Sequence, residues 1–259
     1  MILTLSNITK SIPISAGINK KVIDNFSIKF DFQNSNFISI VAPFGSGKST
    51  LLKIISGLLT VDSGKIIVNG ENYTESGKTF IYLPTNSISI PWLSVEENIR
   101  FETKKDALPE DKVKLIISLI GLEGYEKHIP HKNSYGFRFR ISLGRALVTN
   151  PDLILLDEPF NIIDSVTKEE IFQVLKNVSR ETGIKFLLAT SNILDAMLIS
   201  DEIIILPKLK DEVKDSIKLV GKFSSYNEII TSEDLISVIK IIQSHTNENS
   251  GFQLKEFSV

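Results

Sequence analysis

The stretch Ala42-Pro-Phe-Gly-Ser-Gly-Lys-Ser-Thr50 lies between an apolar run, Phe37-Ile-Ser-Ile-Val41, and a helix-forming one, Leu51-Leu-Lys-Ile-Ile55, so it reads as strand, glycine-bearing turn and helix. Such a turn points several backbone N–H groups into one concavity at a helix N-terminus. Unpaired donors and the helix dipole favour an anion there, in this pattern the phosphates of a nucleoside triphosphate. Lys48 is expected against the β- and γ-phosphates, Ser49 to give its hydroxyl to Mg2+, and Thr50 to reach the α-phosphate, with Ala42, Pro43, Phe44, Gly45, Ser46 and Gly47 completing the cradle. Ala42 stands where the pattern asks for glycine; if that backbone needs positive φ, alanine costs on the order of 1 kcal/mol.

The second constellation is Leu153-Ile-Leu-Leu-Asp157-Glu158-Pro159, four apolar residues followed by two carboxylates, as a buried strand delivering charge to a cleft would show. Asp157 is expected to hold the Mg2+ shell and Glu158 to polarise the attacking water, because phosphoryl transfer needs little beyond positioning, charge neutralisation and an oriented nucleophile. On its own Asp-Glu-Pro is a plain strand exit; joined to the upstream loop it points to phosphoryl transfer from a nucleoside triphosphate.

Positioning these groups takes an alternating series. Short β-rich runs such as Ile2–Leu5 and Phe26–Phe30, broken by Pro13 and Gly17, predict an antiparallel layer. Gly57 is a helix C-cap candidate, and Asp62-Ser-Gly64 and Asn69-Gly70 bracket a strand Lys65–Val68, with another at Phe80–Leu83. Ser94 caps a short helix through Phe101, and Pro109 to Ile120 is helical up to Gly121. After Leu153–Asp157 come a helix from about Thr167 to Gly183, a strand Ile184–Ala189, a short helix and a strand Glu202–Leu206. The alternation predicts an α/β fold with a mostly parallel sheet and the nucleotide at the strands' carboxyl ends. In the tail, Ser216–Val220 suits an edge strand, and Ser232–Gln243 a capped amphipathic helix packed on its own domain.

With 259 residues, 42% of them hydrophobic, the chain can bury a full core. A net charge of −2 gives no global basic field, so nucleic acid is not an expected partner. No apolar run approaches the ~18 residues of a membrane span, and Met1–Asn7 lacks the flanks of a signal peptide, so an intracellular chain is expected. The absence of cysteine removes disulfide, thiolate and cysteine-metal chemistry. Abundant isoleucine and lysine fit a thermophile or an A/T-rich genome equally. The charge pairs at Lys104-Lys105-Asp106 and from Lys208 to Lys214 read as ordinary surface.

Gly45-Ser-Gly-Lys-Ser-Thr-Leu-Leu52, Ser56-Gly-Leu58, Ser63-Gly-Lys-Ile66, Arg145-Ala-Leu147 and Leu155-Leu-Asp-Glu-Pro-Phe160 together resemble the ATP-binding cassette family, the ATPase subunits of ABC transporters, over nearly all of residues 1 to 207. Pro91-Trp-Leu-Ser-Val-Glu-Glu-Asn98 looks most like the nitrate, sulfonate and taurine importer ATPases. The resemblance implies a P-loop NTPase with a RecA-like, mostly parallel core and an N-terminal antiparallel β layer. A helical subdomain at about 85–150 would be inserted in a 1–207 ATPase domain, with 208–259 an extension packed on it. It implies ATP and Mg2+ as cofactors, a second cassette as partner, and membrane permease subunits docked near residues 85 to 130 on the cytoplasmic face.

Several positions depart from the family pattern. The adenine-stacking aromatic falls at Ile12, the linking-loop glutamine at Thr85, a candidate member of the metal shell, and the phosphate-contacting histidine at Ser191. The Leu-Ser-Gly-Gly-Gln signature corresponds to Asn133-Ser-Tyr-Gly-Phe137, where Ser134 and Gly136 survive to meet a nucleotide and Tyr135 replaces glycine. Asp164 corresponds to the aspartate at the subunit contact, and Asn161 to a glycine or serine. His128, His131 and His245 do not align with the missing histidine. The expectation is retained ATP·Mg2+ binding with weakened hydrolysis, in a homodimer or paired with a complete cassette. A non-hydrolysing regulatory cassette and a soluble non-transport cassette stay open as alternatives.

Overall fold

The computed structural model describes residues 1–15, 18–86, 88–101, 108–130, 134–206, 216–218 and 223–245. Gly17, Lys104–Asp106, His131, Asn133, Lys208–Lys214, Leu219 and Val220 lie outside them. Two long strands, β1 (Ile2–Ser15) and β2 (Ile18–Asp31), pair antiparallel, followed by β3 (Phe37–Val41), α1 (Lys48–Ile55), β4 (Ser63–Val68), β5 (Glu71–Asn72) and β6 (Phe80–Leu83). Then come α2 (Val95–Arg100), α3 (Glu110–Leu119), α4 (Tyr135–Leu147), β7 (Leu153–Asp157), α5 (Ser165–Thr182), β8 (Lys185–Thr190), α6 (Ile193–Ile199) and β9 (Glu202–Ile205). The chain continues through β10 (Ser216–Lys218), α7 (Tyr226–Ile230) and α8 (Glu233–His245).

The strands form two sheets. One is antiparallel, ordered β2-β1-β4-β5; the other is ordered β10-β9-β3-β8-β7-β6 and is parallel except for β10. Alternation at period two explains how they stack. Leu153 and Leu155 of β7 face a core shared with Leu3, Leu5, Phe26, Phe30 and α1, while Ile154 and Leu156 face the opposite core, made with α2–α6. A strand buried on both faces reads as a continuous apolar run, as β7 does. Each fully buried Leu or Ile contributes about 1.5–3 kcal/mol, so this strand anchors both cores.

Pro13 does not break β1 as the sequence predicts. It pairs with Asn19 beside the hairpin end, where irregular register steps tolerate a missing N–H. Helix α5 starts two residues before Thr167, because the Asp164 carboxylate accepts the Thr167 N–H and caps it. Asn69 and Gly70, at φ 52° and 94°, make the tight turn between β4 and β5. Ser94 and Glu97 form a reciprocal capping box at α2. Within the helical layer, α4 packs so closely on α3 that a Cβ at Gly144 would meet Ile120 Cδ1 at 2.9 Å.

Candidate nucleotide site

The phosphate loop and the carboxylate strand meet at the carboxyl ends of adjacent parallel strands. β3 and β7 both flank β8, and the last carbonyls of β8 hold the exits of both neighbours: Ala42 N–H donates to Thr190 O at 3.1 Å, and Glu158 N–H to Ala189 O at 2.9 Å. Ala42 is fully buried and does not adopt positive φ, so the strain expected of it does not arise; its N–H extends the β3–β8 pairing and its methyl packs into the core. Gly45 and Gly47 do adopt positive φ, 75° and 105°. Phe44 is 87% exposed beside them.

Lys48 is buried, and its ammonium donates to Ala42 O at 2.7 Å and Pro43 O at 3.0 Å. Its Nζ also lies 2.9 Å from Glu158 Oε1. That contact is one of charge, since among the described residues Oε1 has no hydrogen bond. The other carboxylate oxygen, Oε2, accepts from Ser191 N–H at 3.1 Å, Ser191 Oγ–H at 3.3 Å and Asn161 Nδ2 at 3.1 Å. With Thr190 Oγ1 at 3.5 Å as a fourth donor to Oε2, Glu158 has one oxygen fixed by hydrogen bonds and the other, buried, against the Lys48 ammonium. Its backbone stands at φ 48°, a left-handed conformation that costs a bulky residue about 1–2 kcal/mol and persists here because the peptide is held by β8.

Asp157 is also buried. Oδ1 accepts from Ser49 Oγ at 3.0 Å, Oδ2 from Tyr82 Oη at 2.6 Å, and its main-chain oxygen from Thr85 Oγ1 at 2.9 Å. Burial, and then the adjoining Asp157 carboxylate, push the Tyr82 phenol well above its ordinary range. Tyr82 carries no signal in the sequence beyond a strand aromatic; only the pairing of β6 with β7 brings it here. Thr85 is brought to Asp157 as expected, but its hydroxyl serves the backbone. Ser191 likewise reaches the site with its hydroxyl on Glu158.

Ser134 caps α4 through the Phe137 N–H. Gly136 is required by packing within this one chain, since a Cβ there would meet Thr167 Cγ2 at 2.4 Å. Tyr135 is 45% exposed, with the Arg138 guanidinium over its ring at 4.3 Å. Among the described residues no hydrogen bond or ion pair joins Ser134 or Gly136 to the phosphate loop, and Ile12 lies on β1 opposite Lys20. His128 stacks edge-on against Tyr125 and Phe137.

The residues present fit a nucleotide with its cation. Ser46 Oγ is buried within the loop without a hydrogen-bond partner, as a group awaiting a phosphate oxygen would be. Ser49 Oγ and the Asp157 carboxylate are hard oxygen donors of the kind Mg2+ takes, one or two from the protein with phosphate and water completing the shell. No group of three or more His, Cys, Asp or Glu that could hold a metal by itself occurs among the described residues.

A parallel sheet whose phosphate loop, Asp157 and adjoining Glu158 converge in this way defines a P-loop nucleotide-hydrolysing cassette. The family model described as "ABC transporter" matches residues 26–161, and the chain belongs to that family, as an ATP-binding ATPase subunit. It is 36% identical over 221 residues to an aliphatic sulfonates import ATP-binding protein, SsuB, of Bacillus cereus, covering 85% of this chain and 86% of that one. It is 29% identical to the taurine import ATP-binding protein TauB of Roseobacter denitrificans, covering 79% and 77%. Among solved structures, the ATP-binding cassette MJ0796, in a dimeric post-hydrolysis state bound to ADP and Pi, is 27% identical, with a TM-score of 0.69 and coverage of 85% of this chain and 99% of that one.

Proposed function

We propose that this chain energises an import system of the kind the sulfonate and taurine relatives serve, hydrolysing ATP with Mg2+ while docked at the membrane's inner face on permease subunits. The observation that carries this reading is the 2.9 Å approach of Lys48 Nζ to Glu158 Oε1, which joins two motifs more than a hundred residues apart. Bound Mg2+ would supply charge neutralisation on the β- and γ-phosphates, held by Ser49 and Asp157. Lys48 would exchange Glu158 for the phosphates, and Glu158 Oε1, freed from the ammonium, would orient the attacking water while Thr190, Ser191 and Asn161 hold Oε2. Ile12 would give adenine an apolar contact without a ring. The 85–150 segment is the inserted helical subdomain of a 1–207 ATPase domain, and 208–259 its extension. The test is equilibrium ATP binding with Mg2+: Lys48→Ala is expected to lose nucleotide affinity by about 30-fold or more, since charge-assisted bonds to phosphate are worth roughly 1.5–3 kcal/mol each. Retained affinity would overturn the reading.

The permease face is the turn before α2. Asn98 is fully buried and donates from Nδ2 to Ile90 O, Leu93 O and Ser94 O, while Ser142 Oγ and Arg145 Nη1 hold Ile88 N–H and O. A turn clamped this way presents Ile88, Trp92 and nearby Phe101 to solvent, Trp92 at 73% exposure. Rigid exposed aromatics of this kind serve protein contacts. Trp92→Ala is expected to leave the isolated chain's ATPase unchanged and to weaken permease binding by at least about 2 kcal/mol, read by copurification or titration; equal binding would remove Trp92 from the interface. None of the helices among the described residues is long and apolar enough to cross a membrane.

The departures support weakened hydrolysis and pairing with a different, complete cassette. Ser191 supplies no positive charge, and Tyr135 occupies space where relatives carry glycine. Copurification of homodimers alone, with full transport activity, would overturn the hetero-pair.

A further inference from the structure

We infer that Tyr82 is a positioning residue of the divalent-cation shell, its phenol pinning one oxygen of Asp157 so that the carboxylate turns its other oxygen, together with Ser49 Oγ, toward a single Mg2+. The inference rests on the nucleotide-site reading above. Tyr82 pairs with Leu155 across parallel strands, and Leu155, like Asp157 two residues on, belongs to the face that packs on α1. The phenol therefore stands on the same side of the sheet as the carboxylate, one strand over, and closes the gap with a 2.6 Å bond to Oδ2. Ser49, at the first turn of α1, takes Oδ1 at 3.0 Å. The carboxylate is held at both ends by hydroxyls from two different elements and cannot rotate about its terminal bond without breaking one of them.

The same strand end explains why Tyr82 matters. Thr85 is the residue from β6's exit expected to touch the cation, yet its hydroxyl donates to the Asp157 main chain. The contribution of this strand to the cation is thereby indirect: Thr85 fixes the backbone of the ligand, and Tyr82 fixes its side chain. Lys53, one α1 turn beyond Ser49, places its ammonium over the Tyr82 ring, 5.8 Å from the centroid. Groups that orient a ligand in this manner typically affect metal affinity 10–100-fold when removed.

The experiment titrates Mg2+ into the purified chain with a fluorescent ATP analogue, for the wild type and Tyr82→Phe, and measures analogue affinity in excess EDTA and the thermal midpoint without metal. The expected result for Tyr82→Phe is a half-saturating Mg2+ concentration raised roughly tenfold, with metal-free analogue affinity within about twofold of wild type. A merely structural tyrosine would instead lower affinity equally with and without Mg2+, or lower the metal-free midpoint steeply or prevent folding; any of these overturns the inference, as does an unchanged Mg2+ midpoint. Absence of Mg2+-dependent binding in the wild type would sink the nucleotide-site reading itself, which separates the two failures.

Discussion

Glu158→Gln is expected to bind ATP about as well as the wild type and to hydrolyse it roughly 10²- to 10⁴-fold more slowly, the usual contribution of a positioned proton acceptor. The geometry says why an amide cannot substitute. Oε2 accepts from Ser191 N–H, Ser191 Oγ–H and Asn161 Nδ2, so the glutamine oxygen must occupy that place. Its NH2 group then falls where Oε1 was, 2.9 Å from the Lys48 ammonium, and offers a donor where water needs an acceptor. Single-turnover hydrolysis beside equilibrium nucleotide binding checks this; turnover within tenfold of wild type would mean that Glu158 does not orient the water.

The largest stability effect is expected from Asp195→Ala. Asp195 is fully buried on α6, where its carboxylate meets Lys168 Nζ of α5 at 3.2 and 3.3 Å and accepts from Tyr226 Oη of α7 at 2.7 Å. Removing it strands a buried ammonium, and breaking one side of such a pair costs about 3–5 kcal/mol. In a chain of this size that lowers the thermal midpoint by roughly 10 °C. Lys168→Met with Asp195→Leu is expected to restore most of the loss, because replacing both charges removes the desolvation cost along with the attraction. Calorimetry on the two variants decides; a midpoint drop of only a degree or two for Asp195→Ala would show that solvent reaches the ammonium.

How legible each feature is in the sequence depends on the distance over which it is encoded. The phosphate loop and Leu153–Glu158 are contiguous strings whose apolar lead-in and polar end state their structure directly, and the strands β6 and β7 fall on the residues expected. Asn161 stands out in the sequence only as a departure, and its bond to Glu158 Oε2 depends on a loop conformation that no spacing rule gives. Tyr82 reaches Asp157 through a parallel register between segments 75 residues apart. Lys168, Asp195 and Tyr226 each look like surface or cap residues alone; three helices must pack before they become one buried cluster. Helix α7 is short and carries too few apolar positions to show a period, and it too is absent from the expected elements.

The neighbouring carbonyls of Ala189 and Thr190 hold, respectively, the peptide of Glu158 and the entry to the phosphate loop. The spacing between the two halves of the chemistry is therefore set by one residue step along β8, about 3.3 Å, and by nothing in the chain that runs between them. Changing the length of the helical segment between them need not alter that spacing, so the two ends of the site can stay in register while the chain between them varies.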